Sequence, residues 1–146
     1  MISPIILSSL NLSLETVQKN EILSLNNRSE EYGLYLTPQD VDNIIESRNH
    51  TLKSYGRIEI DINVTKQLIE NLYTSQYTDK DEYVELINDI QEIFYYLKNE
   101  TLDEVSDIEI IEIIDEFYNN CSGRIDTIQN MVEKFAHDYK YERGYR

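Results

Sequence analysis

The separation of apolar and acidic residues in one part of this chain strongly limits what it can fold into. Residues 99–123 contain eight acids and no lysine or arginine. Within residues 107–118, isoleucine, phenylalanine and tyrosine recur every three or four positions, while Glu109, Glu112 and Glu116 fall on the opposite side. The pattern predicts an α-helix with one face in a hydrophobic core and the other face in water or against a cationic surface.

Local signals predict where several helices begin and end. Ser106, with Glu109 three positions later, has the spacing of a capping box, in which each side chain bonds the backbone N–H of the other residue. Thr37 is expected to cap a helix that starts at Pro38, because the fixed φ of proline suits the first helical position. Gly33 is expected to end the preceding helix, since glycine readily takes the left-handed conformation found just past helix ends.

Five further segments carry apolar residues at helical spacing, which makes the predicted fold all-α or nearly all-α. They are residues 16–32, 37–55, 64–73, 78–99 and 124–139. A count of only 4 Gly and 2 Pro in 146 residues disfavours a strand-and-turn fold. A chain of this length can bury a core without a metal or a disulfide. We therefore expect a single-domain bundle of five to six helices.

Two short segments are predicted to be extended. Residues 1–14 place leucine at positions 10, 12 and 14, as a strand or an N-terminal arm does. Residues 57–62 place isoleucine at positions 58, 60 and 62, which is typical of a strand. Together these segments predict at most a small two-stranded ribbon beside the helices. The tail, residues 140–146, is expected to fray.

The net charge limits the partners that the chain can bind. With 13 basic and 28 acidic residues, the formal charge is −15. Direct binding to nucleic acid or to an anionic membrane is disfavoured, because phosphate contacts need lysine and arginine. The expected partner is another protein with a basic surface, which the negative charge would attract. Glu109, Glu112 and Glu116 are the candidate partner-binding residues.

The expected compartment is the cytoplasm. The apolar residues 5–7 follow no basic residue and form no sustained hydrophobic run, so neither a secretory signal nor a transmembrane span is expected. Cys121 is the only cysteine, and a chain with one cysteine forms no internal disulfide, which agrees with a reducing compartment. Cys121 lies in a predicted turn, where we expect a packed, unreactive thiol.

Arg48 stands within the apolar stripe of the second predicted helix, where a charged side chain is unusual. Because its guanidinium cannot be neutralised, Arg48 should either reach the edge of the core or pair with a buried carboxylate. If Arg57 points into the same region, the two form a positive pocket suited to a carboxylate or phosphate ligand. Ion pairs with Glu59, Asp61 or the acids of the acidic helix are the commoner alternative.

No catalytic or cofactor site is predicted. Glu46 and His50, like Glu133 and His137, are four positions apart on predicted helices, and two such pairs can in principle hold a metal. Exposed pairs of small stabilising value are the preferred interpretation, so we expect no metal site. The sequence has no glycine-rich phosphate loop, no nucleophile elbow and no Cys-x-x-Cys motif, and no cofactor is expected.

Three stretches of the sequence resemble a family of small, uncharacterised bacterial proteins. The stretches are YGLYLTPQDVDNIIESRN at residues 32–49, GRIEI at residues 56–60 and EIFYYLKNETLDEVSD at residues 92–107. The resemblance spans about residues 32–122. It implies a bacterial, cytoplasmic, single-domain protein, and it implies no activity, since the family has no known function.

Three hypotheses of function follow. The leading hypothesis is a non-enzymatic interaction or regulatory protein that uses the acidic helix face, or the apolar N-terminal arm, to bind another protein. The second is a small-ligand or metal-dependent enzyme built around Arg48, Arg57 and nearby carboxylates. The third is a nucleic-acid mimic that binds a DNA-binding protein, which requires carboxylates spaced like phosphates over a long surface.

Overall fold

A computed structural model describes residues 4–142, with side chains described from residue 13 onward. It has six long helices, which are α1 (Pro4–Leu23), α2 (Pro38–Ser54), α3 (Asn63–Thr74), α4 (Tyr83–Glu100), α5 (Asp107–Asn120) and α6 (Ile125–Glu142). No strand occurs within these described residues. The prediction of an all-α single domain is confirmed.

The N-terminal segment is helical. Since α1 begins at Pro4, the prediction of a strand or an extended arm over residues 1–14 is wrong from Pro4 onward, and residues 1–3 lie outside the described part. The leucines at positions 7, 10 and 14 are three and four positions apart, which is the helical period, although positions 10, 12 and 14 also alternate. The predicted ribbon with residues 57–62 is therefore not found in the described chain.

The chain between α1 and α2 forms a series of turns instead of the continuous helix that was predicted. A single helical turn, Asn26–Ser29, is followed by a 3₁₀ turn, Glu30–Tyr32. The buried Asn26 side chain donates to Leu36 O at 2.8 Å and accepts from Leu36 N at 2.9 Å, which holds the connection against the bundle. Gly33 has a φ of 76°, the left-handed conformation expected of a helix-ending glycine.

Both predicted capping signals are found, one complete and one partial. Thr37 Oγ1 accepts a hydrogen bond from Asp40 N at 3.0 Å, and the Asp40 carboxylate accepts one from Thr37 N at 2.9 Å. Ser106 Oγ accepts from Glu109 N at 3.3 Å, and no return bond from the Glu109 side chain is found among the described residues. α2 and α5 begin where these signals predicted.

α4 is the central helix, and it packs against α2, α3, α5 and α6. α2 and α4 run parallel, because Asn43 early in α2 bonds Asn88 early in α4, while the chain just past α2 bonds Tyr95 late in α4. α5 runs antiparallel to α4, since Lys98 near the end of α4 pairs with Asp107 at the start of α5.

This arrangement gives the bundle two ends. The strap end carries residues 57–62 after α2, here called the strap, and the loop of residues 101–106 between α4 and α5. The cavity end carries residues 75–82 before α4 and the turn of residues 121–124 between α5 and α6. The α6 helix continues to Glu142, residues 143–146 are outside the description, and the fraying of residues 140–146 stays a prediction.

The core is built from the apolar faces of the helices. Ile44, Ile87, Phe94, Ile110 and Ile128 have no exposed surface, and burial of such side chains supplies most of the driving force for folding. None of the helices in the described chain combines the length and the hydropathy that a membrane crossing requires.

Candidate interaction surface

The strap has no regular secondary structure, and it carries two isoleucines on the surface. Ile58 is 92% exposed and Ile60 is 66% exposed, whereas Ile62 is buried in the core. Side chains of the bundle, and not a partner strand, hold this segment in place.

Arg48 is the first of these side chains. It is 2% exposed, and its Nη2 donates to Glu59 O at 2.7 Å and to Asp61 O at 2.8 Å, while Nη1 donates to Asn49 Oδ1 at 2.9 Å. Neither alternative predicted for Arg48 is found, since its guanidinium is buried instead of reaching the edge of the core, and its acceptors are two backbone carbonyls and an amide instead of a carboxylate. Within the described residues Arg48 forms no ion pair.

Two further buried side chains bond the strap. Gln18 Nε2 donates to Ile60 O at 2.7 Å, and Tyr95 Oη donates to Glu59 Oε1 at 2.6 Å. Burial, and next the hydrogen bond to Glu59, raise the pKa of Tyr95 far above its usual range, so the phenol stays a donor. Three successive strap carbonyls therefore accept bonds from buried side chains, which fixes the strap.

The strap is tied in turn to the loop of residues 101–106. Arg57 Nη1 pairs with Asp103 Oδ1 at 2.8 Å. Leu102 and Asp103 have φ values of 54° and 61°, a conformation that costs energy in residues other than glycine. The Lys98 ammonium donates to Val105 O at 2.8 Å and pairs with Asp107, so the loop is also fixed to the start of α5.

These contacts link segments that carry four exposed aliphatic residues, here called the aliphatic edge. They are Ile58 and Ile60 on the strap, Leu102 (55% exposed) on the loop, and Ile108 (61% exposed) on α5. Single exposed apolar residues are ordinary on protein surfaces, but four on linked segments mark a candidate contact surface.

The acidic face of α5 (Glu109, Glu112 and Glu116) continues from the aliphatic edge. All three carboxylates are exposed, and none has an ion-pair partner within the described part of the chain. Ile108 precedes Glu112 by four positions, so the two lie on one side of the helix. The opposite side of α5 is buried through Ile110, Ile111, Ile114 and Tyr118.

The two predicted ligand-binding arginines have separate surroundings. Arg57 borders a shallow cavity of about 450 Å³ together with Asn49 and Lys53. Arg48 is not among the described residues that line this cavity, and its guanidinium already bonds three acceptors. Arg48 therefore donates hydrogen bonds to the strap, whereas Arg57 forms an ion pair with Asp103.

The histidines and the cysteine are likewise located. His50 and His137 are exposed, as are Glu46 and Glu133. In the described part of the chain, no group of three or more His, Cys, Asp or Glu side chains is placed to hold a metal ion. Cys121 is a buried free thiol in the turn between α5 and α6.

The cavity end contains a cavity of about 490 Å³. Five carboxylates line it, those of Asp79, Glu82, Glu85, Asp89 and Asp126, beside Tyr77, Tyr118 and Arg124. Burial raises the pKa of Asp89 above its usual range, and the nearby Glu92 and Glu85 add to this effect. Asp79, Glu82, Glu85 and Asp89 recur every three or four positions, but no pattern in the sequence places Asp126 of α6 beside them, so sequence analysis missed this cavity.

Fold and surface together define an acidic, all-α bundle with an exposed aliphatic and acidic surface. The chain belongs to a family of unknown function, DUF6323, which matches it over residues 21–145. The resemblance to an uncharacterised family is thereby confirmed. No curated protein and no solved structure matches the chain.

Proposed function

We propose that this protein is a non-enzymatic interaction module that binds a protein with a basic surface. The observation that supports the proposal most is the exposed Ile108 on the same side of α5 as Glu112 and Glu116, two carboxylates without an ion-pair partner in the described chain.

An apolar side chain bordered by acids is a common form of protein contact surface. The apolar residue supplies a contact that is fully desolvated on binding, while the charges increase the association rate and select the partner. The charge of −15 adds a long-range attraction toward a basic partner, and salt weakens that attraction.

We propose that the protein acts in the bacterial cytoplasm. The buried free thiol of Cys121 fits a reducing compartment, and the sequence resemblance described above implies a bacterial source.

The test compares two variants with the same change in charge. In the first, the acidic face is changed to Gln at all three positions. In the control, Gln replaces Glu30 and Glu31, which are exposed in the turns between α1 and α2, and Glu82, which is exposed at the cavity end. Each tagged protein is incubated at low salt with a lysate of the source organism, and captured proteins are quantified by mass spectrometry and then purified for kinetic measurements.

We expect the acidic-face variant to lose a partner that the control retains, with the association rate lower by about tenfold and the dissociation rate nearly unchanged. Both variants should unfold like the unchanged protein, since all six positions are exposed. Equal capture by the two variants would show that the acidic face is only a solvated surface.

A further inference from the structure

We infer that the strap is a preformed contact element, which inserts Ile58 and Ile60 into an apolar cleft of the partner bordered by lysine and arginine. This inference rests on the proposed function and specifies the kind of partner. It concerns residues that are separate in sequence from the acidic face of α5.

The exposure of the two isoleucines is the first argument. Ile58 is 92% and Ile60 66% exposed, although the same short segment buries Ile62 fully. A partner that covers both side chains removes their apolar surface from water, and this burial favours binding.

The rigidity of the strap is the second argument. Arg48, Gln18 and Tyr95 are buried polar side chains, and all of them bond strap residues. Burying an arginine among carbonyls costs desolvation energy. The result is a segment whose conformation is set before binding, so that little conformational entropy is lost when a partner docks.

The charge around the strap is the third argument, and it determines the partner. Residues 57–61 and 101–109 contain six acids, of which Asp103 is paired with Arg57 and Asp107 with Lys98, leaving an excess of four negative charges. A partner cleft with a basic border therefore complements this surface. A second copy of the chain would bring like charges together at a net charge of −15 each.

The isoleucine side chains of the strap, and not its backbone, must make the contact with the partner. The carbonyls of Glu59, Ile60 and Asp61 already accept hydrogen bonds from within the protein. An added strand would need such carbonyls as acceptors, so the strap presents its isoleucines as the contact.

The first experiment identifies what covers the strap. A photo-reactive benzoyl-phenylalanine replaces Ile58 in the full chain, expressed in the source organism, and a control carries it at Tyr35, which is 56% exposed in the chain between α1 and α2. We expect irradiation to give one predominant cross-linked protein from position 58 that is absent from position 35. That protein should have an apolar cleft bordered by lysine or arginine.

The second experiment measures the contribution of the isoleucines. Binding of the purified cross-linked partner is measured for the unchanged chain, for Ile58→Thr with Ile60→Thr, and for Tyr35→Thr as control. Threonine keeps the branched shape and removes the apolar contact. We expect the double variant to bind about tenfold or more weakly, mainly through faster dissociation, with an unchanged thermal midpoint.

Several results would overturn the inference. A cross-linked dimer of this chain shows that a second copy covers the strap, and equal products at positions 58 and 35 show that nothing specific does. Normal binding by the double threonine variant also overturns it. If the acidic-face variant loses capture in that case, the proposed function stands while the strap inference fails.

Discussion

At the strap end and the cavity end of this bundle, the connecting segments are held in place by different means. Buried polar side chains hold the strap, since Arg48, Gln18 and Tyr95 bond three successive residues. Hydrogen bonds within the turn of residues 121–124, among them Gly123 N to Tyr118 O at 2.8 Å and Arg124 Nε to Cys121 O at 3.0 Å, are joined there by close packing, because a Cβ on Gly123 would lie 3.0 Å from the carbonyl oxygen of Tyr77.

The two ends also differ in what they expose to solvent. Hydrogen bonds from buried side chains fix the strap without covering Ile58 and Ile60, so the strap end exposes two aliphatic side chains. The cavity end exposes carboxylates around a cavity, among them that of Asp89, together with the partly exposed ring of Tyr77.

Arg48→Ala should produce the largest effect at the strap end. The change leaves the carbonyls of Glu59 and Asp61 without their donor and opens a space in the core. We expect the free energy of unfolding to fall by about 3 kcal/mol, measured by chemical denaturation.

Arg57→Ala is the matched control, because it removes an ion pair with Asp103, whose carboxylate is exposed to solvent. Its loss should stay below about 1 kcal/mol. If the two arginine variants lose the same amount, the buried hydrogen bonds are not what holds the strap end together.

A pair of glycine variants compares packing at the two ends directly. Gly56 and Gly123 have φ values of 65° and 78°, so alanine at either position costs about 1–2 kcal/mol of backbone strain. Alanine at Gly123 also meets Tyr77 and Tyr118, whereas Gly56 has no atom within 4 Å of the added Cβ.

We therefore expect Gly123→Ala to lose about 1 kcal/mol more than Gly56→Ala in the free energy of unfolding. The measurement is equilibrium denaturation under one set of conditions. Equal losses in the free energy of unfolding would show that the turn at the cavity end shifts to accommodate the added methyl group. Close packing would then not hold this turn.

Replacing a tyrosine of α4 by phenylalanine should change the stability of the fold in opposite directions at the two ends of the bundle. Tyr95→Phe removes the hydroxyl that bonds Glu59 at 2.6 Å and should cost about 1–2 kcal/mol. Tyr83 has a buried hydroxyl with no hydrogen-bond partner in the described structure, so Tyr83→Phe should stabilise the fold by up to about 1 kcal/mol. Thermal and chemical unfolding of both variants measure this, and a destabilised Tyr83→Phe would contradict it.

The smallest expected effect concerns the charge of Asp89 at the cavity end. Its raised pKa means that the folded state binds a proton more readily than the unfolded chain. This contribution therefore favours folding below the usual aspartate pKa of about 3.9, and it is lost as pH rises through the folded-state pKa.

Asp89→Asn should accordingly raise the free energy of unfolding slightly at about pH 7, and the gain should vanish below about pH 4. Glu82→Gln is the control, because Glu82 lies on the same cavity but is exposed. A gain that does not depend on pH would mean that removal of the Asp89 charge is not its source.

Most helices could be predicted because local chemistry sets them. The predicted segments 37–55 and 64–73 correspond to Pro38–Ser54 and Asn63–Thr74, since a capping box and an apolar face agree in the first and a single apolar face marks the second. The start of α1 was missed because the spacing of its leucines fits both a strand and a helix. Only packing against the rest of the bundle distinguishes the two.

The contacts of the candidate surface were harder to predict. The position of Arg48 in an apolar stripe indicated its burial, but its acceptors are backbone carbonyls, which no residue pattern marks. No sequence pattern indicated that Gln18 and Tyr95 bond the strap, because the strap is distant from both residues in sequence. The exposure of the acidic face could be predicted, since the helical period alone determines it.

The buried thiol of Cys121 gives the protein an internal reporter of motion. It is the only cysteine, and it is enclosed in the turn where its Sγ lies 3.4 Å from Arg124 O. An alkylating reagent can reach it only when that turn opens, so the alkylation rate of the unaltered protein reports how often the cavity end opens. A small molecule that occupies the cavity would slow this reaction, which makes thiol labelling a direct screen for ligands at that end.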